Sequence, residues 1–296
     1  MGAAGFVRAT VGGALRESFS APPSVLRALA DSGDGAGLFG PESVTWKVHA
    51  HPAALVGGIR SLIVQTLHPL VMTGVAQHSD YRSDPLGRLR RTAAFVATTT
   101  YGSARQAEEA VAGVRRLHEH VRGAAPDGRR YYGNDPELLA WVHHVEVESF
   151  LLAYRRVGPG LSDADADRYV EEMACVGELI GASPLFRKVG PLHEWVIHHP
   201  EVRATHEARE AVRFLSRLPV PLAAWPAYLV CLGAAISLVP WWWRLQLGLV
   251  APGPVAGRLV SEPMARALIG AMGWVLGPSP ALSNARGRVG TTATTP

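Results

Sequence analysis

Residues 103–123 read SARQAEEAVAGVRRLHEHVRG, and their spacing decides the fold class. Ala107, Val111, Val114, His118 and Val121 recur at intervals of four, three, four and three, which puts them on one face of a helix. Glu108, Arg115 and Glu119 fall on the other side, and His120 points away with them. Ser103 offers an N-cap hydroxyl and Gly123 a stop, so the spacing predicts a helix over 104–122. Its inner face is apolar except for one imidazole, His118.

The neighbouring segments carry the same grammar. Asp84-Pro85 is an N-cap followed by a first-turn proline, opening a helix to Tyr101 with Gly102 as its stop. Asp135-Pro136 repeats the device for a helix over 137–156, ended by Gly158-Pro159-Gly160. Ser162 with Asp165 resembles a capping box for 164–181. Residues 58–67 are apolar nearly all round, so that helix is buried, and His68-Pro69 breaks it. Further helices fit 23–31, 41–51 with Pro41 at the first position, 201–218, 227–239 and 264–276. Residues 124–134, with Pro126, Asp127-Gly128 and Gly133, read as a loop. No run alternates with period two. The expectation is an all-α, single globular multi-helix domain of about nine helices. It divides into an N-terminal segment (1–40), a main helical domain (41–218), a helical subdomain packed on it (219–278) and a disordered tail (279–296).

Of the 296 residues, 48% are apolar and 18% charged, against about 25% charged in ordinary soluble domains. That balance implies much buried surface or an apolar cavity. The net charge is +4, but the basic clusters (Arg88, Arg90, Arg91; Arg115, Arg116) are short and have acids nearby. They read as solvated faces, and no aromatic-interleaved basic stripe points to nucleic acid. Cys175 and Cys231 are far apart in apolar surroundings, which argues against a disulfide scaffold or a cysteine metal site and for a reducing cytoplasm. Residues 1–16 lack the sustained apolar core of a secretory signal. Residues 218–243 carry no charge, but Pro219, Pro221, Pro226 and Pro240 interrupt them. The proline-free part, 227–239, falls short of the roughly 20 residues a bilayer span needs and reads as a core helix. Trp241, Trp242, Trp243 and Arg244 would suit a headgroup belt, so a peripheral membrane contact is the alternative.

The sequence contains no His-Glu-x-x-His, phosphate-loop or Gly-x-Ser-x-Gly motif, which removes the commonest hydrolase and nucleotide-binding readings. The histidines remain. A neutral imidazole in an apolar wall, as at His118, is a good axial ligand for haem iron. The plainer reading is a buried ring satisfied by a carbonyl or carboxylate. His143 shares a face with Leu139, Val147, Phe150 and Tyr154 and also reads as buried, with a structural bond to Glu148 or backbone as its plainer role. Glu148 would receive a proton or hold a neighbouring Arg. His68 and His78 sit where they would cap helix ends. Arg88 and Thr92, four apart, stack on one face with Arg91 flanking, and a guanidinium beside a hydroxyl could hold an oxygen species or a propionate. Their plainer reading is surface charge and a threonine bonded back to the preceding turn.

Several motifs, in order, resemble one bacterial family: Gly57-Gly58-Ile59-Arg60-Ser61-Leu62, Gln65-Thr66-Leu67-His68-Pro69, Gly74 to Ser79, Asp84 to Thr92, Val114 to His118, and Leu139 to His143. The family is that of the latex-clearing proteins (rubber oxygenases) and the ER-bound MpaB oxygenases, and the resemblance is strongest over 40–182. It implies a globin-like helical core holding haem b (iron) and cleavage of an alkene with dioxygen. The family's Arg-x-x-His-x-x-x-Arg pattern matches Arg115, His118 and Arg122, so His118 is the implied axial ligand, with His143 in reserve. Its distal Arg-x-x-Lys-Thr pattern matches Arg88 and Thr92, but Arg91 stands where the family has Lys, and an arginine is a poor neutral ligand. A distal base is also implied, with Gln65, Asp80 and Asp84 in the region. The expectation is a haem b-dependent oxygenase acting on an apolar, isoprenoid or lipid-like substrate. Its rivals are a non-catalytic haem or lipid carrier and a helical protein without cofactor.

Overall fold

The computed structural model describes residues 2–31, 37–249 and 262–292. Among them are fifteen α-helices and one two-stranded hairpin. The helices are α1 Ala3–Phe19, α2 Pro23–Asp31, α3 Val44–Ala50, α4 Ala53–Gln65, α5 Pro69–His78, α6 Pro85–Tyr101 and α7 Ala104–His118. After the hairpin come α8 Pro136–Val157, α9 Asp163–Ile180, α10 Val189–Ile197, α11 His206–Leu215, α12 Trp225–Ser237, α13 Trp241–Leu247, α14 Glu262–Leu276 and α15 Pro280–Thr292. The fold is all-α, as the periodicity predicts.

The organising element is α8. Asp135 caps it by accepting from the Glu137 and Leu138 amides (2.9 and 3.3 Å), and Pro136 fills the first turn, where no backbone donor is needed. Trp141, Val145, Leu151 and Ala153 along it are essentially inaccessible. A helix buried on most sides needs partners on each of them, and α4, α9, α10, α14 and α3 supply these. The approach of α4 is the closest, for a local reason. A Cβ on Gly57 would stand 2.8 Å from Phe150 Cα, so only glycine lets the two backbones meet there. Helix α12 covers the outer side of α4.

The chain bends 103° between α4 and α5 at His68-Pro69. The His68 ring caps α5, accepting from the Val71 amide at 3.5 Å. His78 does not act as a cap; its Nε2 lies 3.0 Å from Tyr131 Oη. The N-caps Asp84, Ser103 and Ser162 stand where the sequence predicts them, Ser103 in a full capping box with Gln106. Pro41 lies outside α3, whose cap is Ser43.

Three segments differ from expectation. Helix α7 ends at His118, and residues 122–132 form β1 (Arg122–Ala124) and β2 (Arg130–Tyr132), antiparallel, with Gly123 opposite Tyr131. Val121 and Arg122 are therefore off the helix. The turn at Asp127-Gly128, with Gly128 at φ +84°, closes a hairpin whose strands are too short to show alternation in sequence. The N-terminal segment contains α1, held to α14 through Arg8 to Trp274 O (2.9 Å) and Arg16 to Leu276 O (2.7 Å). Residues 280–292, expected to be disordered, form α15. Asn284 donates to Leu26 O (2.7 Å), and Arg288 donates to Leu29 O and Tyr101 O (2.9 and 2.7 Å). Residues 293–296 lie outside the described set.

Among the described residues no single helix is long and apolar enough to cross a membrane. Two bent pairs, α4–α5 and the 222–247 region bent by 117°, have the length and composition together.

Candidate functional site

Helices α6 and α7 pack on each other, α6 also meets α3, and α7 also meets α9, whereas neither packs more than marginally on α4 or α8. The candidate residues sit around this looser part of the molecule.

His118 closes α7. Its Nδ1 is buried and has no hydrogen-bond partner. Burial, then Arg115, holds the ring below the ordinary histidine range, and the Gly133 carbonyl beside it, outside hydrogen-bond geometry, pulls weakly the other way. The imidazole is thus neutral at physiological pH, which is the form that ligates a metal. Arg115 is exposed and donates to Ile180 O at 2.5 Å, sealing the end of α9. Arg122 is exposed on β1. The three residues of the Arg-x-x-His-x-x-x-Arg pattern therefore do not converge on one point: His118 faces inward and both arginines face out.

His143 and Glu146, one turn apart on α8, make no hydrogen bond, and burial shifts both. His143 is pushed down to about 3, with His144 adding to the effect, and Glu146 is pushed up to about 7. Each nevertheless keeps some accessible surface. This side of α8 faces α9 and α3. A Cβ on Gly177 of α9 would meet His143 Nε2 at 3.0 Å and Leu185 Cδ2 at 2.5 Å. Nearby, His49 of α3 has Nδ1 2.8 Å from Thr100 Oγ1 and Nε2 2.9 Å from Tyr169 Oη. Tyr169 in turn feels the Glu146 charge. Gly177→Ala is expected to destabilise the protein by about 1–3 kcal/mol through overpacking. It should also move the His143 ring resonances in NMR spectra. Unchanged stability and resonances would place the His143 ring elsewhere.

Glu148, read as holding an arginine, does so: its Oε2 is 2.9 Å from Arg60 Nη2, and its Oε1 is 2.6 Å from His193 Nδ1. It faces away from His143, which has no structural bond of the kind expected. His144 donates from Nε2 to Pro184 O at 2.9 Å, while its Nδ1, like that of His118, is buried and has no partner.

The distal trio separates. Arg88 is deeply desolvated at the side of a cleft between α4, α5, α6 and α11 and donates to Ser79 Oγ. Thr92 is exposed and bonds back to Arg88 O at 3.2 Å, while Arg91 is exposed and pairs with Asp84 at 3.2 Å. The helix turns the Arg91 and Thr92 side chains outward while Arg88 lines the cleft. Asp84 is occupied as the α6 cap, Asp80 is exposed, and Gln65 donates to Ser61 Oγ at 2.7 Å. Glu146 of α8, which burial pushes up to about 7, has no hydrogen bond or ion pair. It was legible as the one carboxylate in an otherwise apolar-plus-histidine row, Leu139, His143, Glu146, Phe150, at helical spacing.

Among the described residues no three His, Cys, Asp or Glu side chains converge to hold a bare metal ion. A porphyrin brings its own ring of nitrogens and asks the protein for one axial side chain. A single neutral imidazole with an unpartnered buried nitrogen fits that requirement.

No curated protein and no solved structure matches the chain. A family model matches residues 46–274, from α3 into α14 and so across every element described around the site, and the chain belongs to that family, the ER-bound oxygenase mpaB/B'/Rubber oxygenase catalytic domain.

Proposed function

We propose that this oxygenase-family chain is a haem b-dependent oxygenase acting on an apolar small molecule with dioxygen, and that His118 would hold the haem iron. The observation that carries the reading is the neutral His118 ring with its buried, unpartnered Nδ1. A haem, when bound, would supply the redox chemistry with dioxygen. The chain's residues supply the rest. Arg88 places a positive charge beside the apolar cleft, and Glu146 offers a carboxyl that can give or take a proton near neutral pH. Leu222, Leu229, Trp241, Trp242 and Leu245 are all exposed, and they support a peripheral membrane contact by which a lipid-like substrate is reached.

The test is spectroscopic. Protein supplied with haem should show a Soret band, and His118→Ala should lose it or shift it while His143→Ala keeps it. The reverse pattern moves the ligand to His143, and no band in any folded form removes haem from the account.

A further inference from the structure

Between α4, α5, α6 and α11 lies a half-open cleft, with about 590 Å³ of empty space when the open solvent in its mouth is counted. Its walls are mainly aliphatic and aromatic, including Leu62, Met72, Val75, Leu89 and Phe214. Two polar groups break that surface. The first is Arg88: its guanidinium is deeply desolvated and its side chain bonds to Ser79 Oγ, with no carboxylate paired to it. The charges that act on it are Arg91, which repels it, and Tyr81. The second is Tyr81, only 8% exposed, whose buried hydroxyl has no hydrogen-bond partner. Tyr81 and Arg88 lie close enough to influence each other's ionisation, and both line the cleft. Of the two acids that act on Tyr81, Glu210 and Glu207, Glu210 is held by Arg82 at 3.0 Å.

A half-buried cation with no carboxylate paired to it, and a buried hydroxyl with no acceptor, each carry a cost. One ligand atom group would satisfy both: a carboxylate, taking the guanidinium fork on one side and the phenol hydrogen on the other. The aliphatic walls would then cover a hydrocarbon chain. We propose that this cleft binds an amphipathic carboxylate, a long-chain fatty or isoprenoid acid, with its head group on Arg88 and Tyr81 and its tail along Leu62, Val75 and Phe214. The inference goes beyond the oxygenase reading and does not depend on a haem being held at His118.

The experiment is calorimetric titration of the haem-free protein with laurate, dodecanol and dodecylammonium near neutral pH. Laurate should bind about tenfold or more tighter than dodecanol, and dodecylammonium weakest, because only the carboxylate neutralises Arg88. Arg88→Met should erase the preference for laurate while leaving dodecanol affinity in place, and Tyr81→Phe should remove part of it. Val75→Trp, which fills the cleft, should weaken all three ligands. Should Arg88→Met fail to fold, Arg88→Lys and Tyr81→Phe read the same preference. Equal binding of laurate and dodecanol, a laurate preference that survives loss of Arg88, or no binding to folded protein each overturns the proposal. So does the result that Arg88 is needed for haem uptake while laurate does not bind, since the carboxylate it serves would then be a porphyrin propionate.

Discussion

Arg60→Met is expected to lower the free energy of unfolding by about 3–5 kcal/mol, the range seen when one member of a buried ion pair is removed. Arg60 is 0% exposed and Glu148 3%, and their contact is 2.9 Å. The guanidinium also donates to Ser149 Oγ (2.6 Å) and to Leu238 O (3.1 Å), so one side chain joins α4, α8 and the end of α12. Burial pushes the Glu148 carboxyl up, but Arg60 and then His193 more than offset it, and the group sits below its ordinary range. Without Arg60 the carboxylate keeps only His193, which is half exposed. The cost therefore comes from stranding Glu148, not from losing an intrinsically strong bond. That distinction is testable in urea titrations. Arg60→Met with Glu148→Leu should recover most of the single variant's loss, because no charge is left unpaired. A single variant within about 1 kcal/mol of the parent would show that the pair is hydrated, and a double variant as weak as the single would show that packing, not charge, is lost.

Which parts of this molecule were legible in the sequence follows from how far each signal reaches along the chain. N-caps act within one turn, so Asp84, Ser103, Asp135 and Ser162 marked helix starts correctly. Helix ends depend on what the chain meets next. The periodicity of 103–123 carried past His118, while the structure turns there to let Gly133 N reach Val121 O at 2.7 Å. Helices α1 and α15 are stabilised by contacts some 260 residues away in sequence, Arg16 with Leu276 and Arg288 with Leu29, which no local pattern carries. At the site, the inward direction of His118 was readable from its row of apolar neighbours. The direction of Arg88 against Thr92 was not, since both share a helical row and only the position of α11 makes one end interior. Two residues could have been found and were not. Arg60 and Glu146 are single charges in otherwise apolar faces, and such a charge must be paired or functional when buried. Arg60 proves to be paired and Glu146 does not.

The protein is expected to lose stability steeply as pH falls from about 6.5 to about 4.5, because several imidazoles are buried in the neutral form. Burial holds His49 and His143 down to about 3 and His68 to about 4, while their unfolded-state value is 6.5. A group whose folded pKa is depressed gives stability that is complete above the unfolded pKa. It is lost as pH falls, since the unfolded chain takes up a proton that the folded one refuses. Each such group contributes a slope of about 1.4 kcal/mol per pH unit. Glu146 works in the opposite sense: its folded pKa of about 7 exceeds the unfolded 4.5, so its contribution is complete below 4.5 and is lost as pH rises through 7. His193, raised by its bond to Glu148, also opposes the histidines in the interior. Between pH 4.5 and 6.5 the three low imidazoles outweigh Glu146 by about two protons, a slope of roughly 3 kcal/mol per pH unit. Against a typical total of about 5–15 kcal/mol, that is enough to unfold the protein within two or three pH units. Urea midpoints followed by tryptophan fluorescence from pH 8 to 4 measure it. Glu146→Gln should steepen the acid limb by about one proton, since the opposing group is gone, and His143→Gln should flatten it by about one. A parent protein whose stability is level from pH 7 to 5 would mean that these rings meet water in solution.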